Sequence, residues 1–148
     1  MKLEQTNRII IKIGSALLFN ETSGSLNKEW LNSLAEDVKY LRENDKEVII
    51  VSSGAIAMGA KDLDLDMKNM KMDMNQAVSA VGQIHLMGSF KSAFEKNEIK
   101  ISQILLTLDD TEQRRRSINA RRTIDTLLKL GIVPVSYTHL TLPTNKAV

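Results

Sequence analysis

Apolar positions in this chain switch between a run-and-stop pattern and a helical period. Ile9-Ile10-Ile11-Lys12-Ile13 is a β-branched run stopped by Gly14, as expected of a strand buried on both faces. A loop rich in Gly, Ser, Asn and Thr follows. Trp30, Leu31, Leu34, Ala35, Val38 and Leu41 then recur at helical spacing, with Asn27 placed to cap the helix. Val48-Ile49-Ile50-Val51 is a second buried strand, ended by Ser52-Ser53-Gly54. Small residues over 54–61 suit a short helix, and 62–74 read as a polar, methionine-rich loop. Ala77, Val81, Ile84, Gly88 and Phe90 through Phe94 trace a long helix. Its small residues (Ser79, Ala80, Gly82, Gly88, Ser89) permit close packing on a sheet. Residues 99–106 read as a third strand, and 111–130 as a helix closed by Gly131. Ile132-Val133-Pro134-Val135 is a fourth strand, whose proline favours an edge or strand-end position.

Strands alternating with helices predict an α/β fold with a mainly parallel sheet and right-handed crossovers. The pattern breaks at Ser136. Residues 136–148 have no helical face, and Pro143 interrupts their one weak alternation. A parallel sheet of four strands still needs a helix over its last strand. The expected organisation is therefore a body over 1–135 and a tail over 136–148 that is foreign to it or disordered.

Composition mostly excludes. The 148 residues suffice for one domain with a core. Lys and Arg number 20 against 18 Asp and Glu, and that near-balance gives no global case for nucleic acid or a membrane. With no cysteine, disulfides and Cys-based metal or redox sites are ruled out. The N-terminus is polar and no apolar run reaches spanning length, so the cytoplasm is the expected compartment.

In open parallel sheets, ligands bind beyond the carboxyl ends of strands. Two such ends carry unusual residues. In Lys12-Ile13-Gly14-Ser15, a lysine within an isoleucine run is costly to bury unless its ammonium reaches solvent or an anion. Gly14 would let successive amides approach phosphate oxygens. The same residues also fit an edge lysine reaching water beside an ordinary turn, and no Walker A pattern occurs. In Ser52-Ser53-Gly54-Ala55, hydroxyls and a glycine before a helix start form an anion site for a carboxylate or phosphate, or else a plain cap and tight turn.

Other clusters say less. Asp62, Asp64 and Asp66 mimic a calcium loop, but Met67 and Asp73 stand where glycine and glutamate are needed, leaving a solvated loop. Arg114, Arg115, Arg116, Arg121 and Arg122 follow Asp109, Asp110 and Glu112 and lack interleaved aromatics, which argues against nucleic acid. His85 has no second ligand near it in sequence and reads as a packed or surface histidine.

Taken together, Ile11-Lys12-Ile13-Gly14-Ser15 and Val51-Ser52-Ser53-Gly54-Ala55-Ile56-Ala57-Met58-Gly59 resemble the first two signatures of the glutamate 5-kinases, of the amino-acid kinase superfamily. Ala80-Val81-Gly82-Gln83, Leu105-Leu106-Thr107 with Asp110, Asn119-Ala120-Arg121 with Thr123, and Gly131-Ile132-Val133-Pro134-Val135 follow in similar order. The resemblance spans 8–135. It implies a three-layer sandwich that uses ATP, with Mg2+ carried by the nucleotide, to phosphorylate L-glutamate at the first step of proline biosynthesis. It also implies a homo-oligomer at full length. Lys12 would be the catalytic cation, Lys12, Gly14 and Ser15 would bind the ATP phosphates, and Ser53, Gly54 and Ala55 would hold glutamate, with no metal ligand on the protein.

The family's next loop is Asn-Glu-Asn-Asp, where this chain has Ser136-Tyr137-Thr138-His139. That departure makes an inactive fragment the expectation for the chain by itself. The competing expectations are a kinase acting on N-acetylglutamate or carbamate, and a binding module without phosphoryl transfer. A dinucleotide binder ranks third, because no Gly-x-Gly-x-x-Gly follows the first two strands.

Overall fold

The computed structural model describes residues 3–20, 22–106 and 114–137. After a 3-10 turn at Leu3–Gln5, the chain forms β1 (Arg8–Ile13), a one-turn α1 (Ser15–Leu18), α2 (Lys28–Glu43) and β2 (Glu47–Ser52). Then come α3 (Ala55–Asp62), α4 (Met72–Glu95), β3 (Ile101–Leu105), α5 (Arg114–Lys129) and β4 (Val133–Tyr137). All four strands are parallel, in the order β1-β2-β4-β3. The expected α/β fold forms.

Strand alternation separates two faces. Ile13, Val48, Ile50, Val133 and Val135 join one buried cluster with Leu31, Leu34 and Val38 of α2 and Leu86, Phe90 and Phe94 of α4. Arg8 lies on the other face, where it bonds Glu47 at 2.8 Å and reaches Asp125 of α5 at 2.9 Å. The two helix layers therefore flank the sheet. The Glu47 hydrogen bond, followed by that to Asp125, raises the Arg8 pKa above its ordinary value. With both partners over a third exposed, such a contact contributes about 0.5 kcal/mol.

Helix ends follow local chemistry. Asn27 caps α2, its Oδ1 accepting the Trp30 N–H at 3.1 Å. Gly131 adopts φ +73 after α5, and Ile132 N–H bonds the Leu127 carbonyl at 2.9 Å. This closure is the Schellman pattern that favours glycine.

Four expectations change. The isoleucine run of β1 is not buried on both faces: β1 is an edge strand, α5 covers its outer face incompletely, and Ile10 is 63% exposed. β4 is not an edge strand but lies between β2 and β3. Pro134 is tolerated because Val133 N–H points to Lys100 O on the β3 side, and pairing with β2 begins only at Val135. The missing N–H thus removes no ladder bond.

The body does not stop at Val135 either. Ser136 and Tyr137 are buried and pair with both neighbours, because ladder bonds use backbone atoms whatever the side-chain pattern. The rest of the expected tail, 138–148, lies outside the described residues, as do Thr107 and Asp110.

Finally, α4 begins at Met72, and its close backbone approach, at Gly82, is to a helix rather than to the sheet. A Cβ built on Gly82 would lie 1.7 Å from the Ala55 carbonyl oxygen, and one on Gly59 would lie 1.9 Å from that of Val78. Backbone meets backbone where α3 crosses α4. That contact fixes the start of α3, which forms one side of the candidate site.

Candidate substrate site at the carboxyl ends of β1 and β2

The parallel register sets Lys12 beside Val51 and Ile13 beside Ser52, so both glycine turns leave the same end of adjacent strands. The turns are tied together. Ser53 is buried; its N–H donates to the Ile13 carbonyl at 3.1 Å and its hydroxyl donates to the same oxygen at 3.2 Å. Gly54 has φ +106, a conformation that side chains disfavour. A Cβ there would also stand 2.7 Å from Phe19 Cε2 and 3.4 Å from Ser15 Cβ. Only glycine lets the start of α3 close onto α1.

Gly14 differs. Its φ of −81 suits any residue, and a Cβ would meet nothing within 4 Å. Neither backbone strain nor packing accounts for glycine here; open space lies above it, as close approach of a ligand requires. Leu17 N–H bonds the Gly14 carbonyl at 3.2 Å, closing the single turn of α1.

A cleft of about 140 Å³ opens between the turns. Ser15, Ser53 and Gly54 line it with polar and backbone groups, and Ile56, Ala57 and Met67 line it with apolar side chains. Tyr137 completes it, its phenol oxygen 3.3 Å from the Ser79 hydroxyl. The first-turn amides of α3 have no intrahelical partner and attract negative charge. A bound carboxylate can only accept, so the Ser53 hydroxyl must turn from Ile13 O to donate to it. Ile13 O keeps the Ser53 N–H, so the turn strands no carbonyl.

Of the sequence candidates, Ser15, Ser53 and Gly54 come together in this cleft. Gly14 and Ala55 flank it without lining it. Lys12 is not among its walls: it is exposed on the outer face of β1 and makes no ion pair among the described residues. Met67 and Ile56 were missed. The position of Ile56 three residues after Ser53, at a helix start, was the available signal; Met67 stood in a stretch read only as a polar loop.

Elsewhere, His85 Nε2 reaches Asp62 Oδ2 at 3.2 Å, bridging α4 and α3 on the surface. A larger cleft of about 590 Å³ separates β3 from α5, with Arg116, Asn119 and Gln103 in its walls. Among the described residues no group of three His, Cys, Asp or Glu could hold a metal ion. No helix among them is long and apolar enough to cross a membrane.

A parallel sheet between helix layers, with paired glycine turns at one end, defines a class of α/β ligand-binding domain. The model of the amino acid kinase family matches residues 7–146, and the chain belongs to that family. It is 51% identical over 146 residues to the glutamate 5-kinase of Pelagibacter ubique (strain HTCC1062), covering 99% of this chain and 39% of that protein. It is 46% identical over 144 residues to the glutamate 5-kinase of Ruegeria sp. (strain TM1040), covering 97% of this chain and 39% of that one. The chain thus spans about two fifths of the length of these relatives. The fold is similar to that in the crystal structure of the T. acidophilum isopentenyl phosphate kinase product complex, with TM-score 0.59 and 16% identity over 90% of this chain and 57% of that one.

Proposed function

We propose that this chain is the part of a glutamate 5-kinase that holds the acceptor carboxylate and meets the transferred phosphoryl group. The reaction is ATP plus L-glutamate giving L-glutamyl 5-phosphate and ADP, the opening step of proline biosynthesis. The observation that carries the reading is the register placing Lys12-Ile13-Gly14-Ser15 beside Ser52-Ser53-Gly54-Ala55, in a chain 46–51% identical to proteins of that name.

The chemistry asks little of the protein beyond placement. A glutamate side-chain carboxylate, with a reference pKa of about 4.3, is ionised at neutral pH and needs no general base. One of its oxygens forms the new bond to the γ-phosphorus as the bond to the ADP oxygen breaks. Ser53, with the Gly54 and Ala55 backbone, holds glutamate. Gly14 and Ser15 amides meet the γ-phosphate, and Lys12 offsets the charge that builds on it. At about 140 Å³ the cleft lies below the ~300–1,000 Å³ usual for small-molecule and cofactor pockets and is too small to take a nucleotide as well as an amino acid. ATP therefore lies outside it, toward Gly14 and Lys12. Magnesium arrives on the nucleotide phosphates.

One observation favours a second reading, a binding module without transfer: Lys12 stands outside the cleft. The two part in a single assay. A form extended to the relatives' length should release ADP only when L-glutamate is present. Glutamate binding without ADP release would support the module, and ADP release driven by N-acetylglutamate would support another kinase of the family. The 148-residue chain alone is expected to bind glutamate without turnover.

A further inference from the structure

The cleft at Ser53 has an apolar wall that the roles above leave unused. Ile56 and Ala57 belong to the first turn of α3, whereas Met67 comes from the loop that joins α3 to α4. Met67 is 53% exposed, although methionine usually favours burial. Its loop is tied on both sides. Leu65 N–H bonds the Ala60 carbonyl at 2.8 Å, and Asp66 Oδ1 accepts the Lys68 N–H at 3.0 Å, a turn that spans Met67. Asp64 and Asn69 bracket this stretch with left-handed φ of 55 and 66. The backbone thus holds an exposed apolar side chain at the mouth of the cleft, continuous with Ile56 and Ala57 and facing the hydroxyls of Ser15 and Ser53, where a bound ligand would cover it.

An amino dicarboxylate has charged ends and a short aliphatic middle. Hydroxyls and amides can fix the ends; the middle gains only from apolar cover. Methionine suits that task, having three rotatable bonds and a polarizable sulfur that adapts to irregular shapes. We infer that Met67 is a specificity-determining residue: its thioether lies on the methylenes of the bound amino acid and so selects L-glutamate over the one-carbon-shorter L-aspartate. The inference rests on the proposed function and deepens it.

The test uses the 148-residue chain labelled with [methyl-13C]methionine, whose seven methionines give seven methyl signals. Met67→Leu assigns the Met67 signal. L-glutamate should shift that signal saturably, and L-aspartate should bind about tenfold more weakly, the smaller end of the effect of one methylene in an apolar pocket. Met67→Ala should reduce the glutamate-to-aspartate preference to about twofold, and Met67→Leu, which keeps the wall, should retain it. The six other methyl signals of Met67→Ala report that it is folded. If Met67→Ala keeps the parent preference while Ser53→Ala still weakens glutamate binding, the cleft stands and the role of Met67 is overturned. If glutamate moves no methyl signal and gives no heat in a titration, the glutamate reading and this inference fall together.

Discussion

Replacing Gly82 by alanine tests whether the α3–α4 crossing positions the site. The new Cβ would lie 1.7 Å from the Ala55 carbonyl oxygen and 2.6 Å from the Gly59 nitrogen. Carbon and carbonyl oxygen normally meet at about 3.3 Å, so the helices must part by roughly 1.5 Å. No side chain can rotate away, because every clashing atom is backbone. Overpacking of this kind costs about 3 kcal/mol, the upper part of its usual range. For a domain near this size that lowers Tm by roughly 6–12 °C. Gly88 is the control, on the same helix, exposed, with nothing within 4 Å of its would-be Cβ. Gly88→Ala should stabilise by about 0.5–1 kcal/mol through helix propensity. Thermal melts followed by circular dichroism read both. Because Ala55 begins α3, Gly82→Ala should also weaken glutamate binding. A Gly82→Ala protein that melts within about 2 °C of the parent, or a Gly88→Ala protein destabilised equally, would refute the close-crossing account.

Two further perturbations test the frame. Asn27→Ala removes the hydrogen bond to Trp30 N–H and should cost about 1 kcal/mol, a Tm drop of a few degrees in the same melts. Deleting 138–148 should move Tm by no more than about 1 °C, whereas deleting 136–148 also removes buried Tyr137 and its Ser79 contact and should lower it by several degrees. Equal effects of the two deletions would show that β4 gains nothing from its last two residues.

Most of the fold was legible because local signals agreed: β-branched runs for β1 and β2, an asparagine cap on α2, and a glycine closure after α5. What failed to show depended on neighbours. The β1 run reads as buried on both faces, yet burial of its outer face requires cover that α5 only partly provides. Pro134 argues for an edge until the stagger is known, since its missing N–H falls where the β2 ladder has not begun. Gly82 signals close packing without naming the partner, which proves to be α3. At the site, Ser53 and Gly54 were legible from a strand ending in a hydroxyl-glycine turn. Met67 was not, because only a tertiary contact brings its loop back to the turn after β2.

The central claim assigns different work to two neighbouring strand ends, and steady-state kinetics of Lys12→Ala and Ser53→Ala in a form extended to the relatives' length test it most directly. Lys12→Ala should lower kcat by about two to three powers of ten, the effect of losing roughly 3 kcal/mol of transition-state charge stabilisation, with little change in KM for glutamate. Ser53→Ala should mainly raise the KM for glutamate and leave kcat within a few-fold of the parent. If the two variants exchange these phenotypes, or Lys12→Ala turns over at the parent rate, the assignment of phosphate to one turn and carboxylate to the other is wrong.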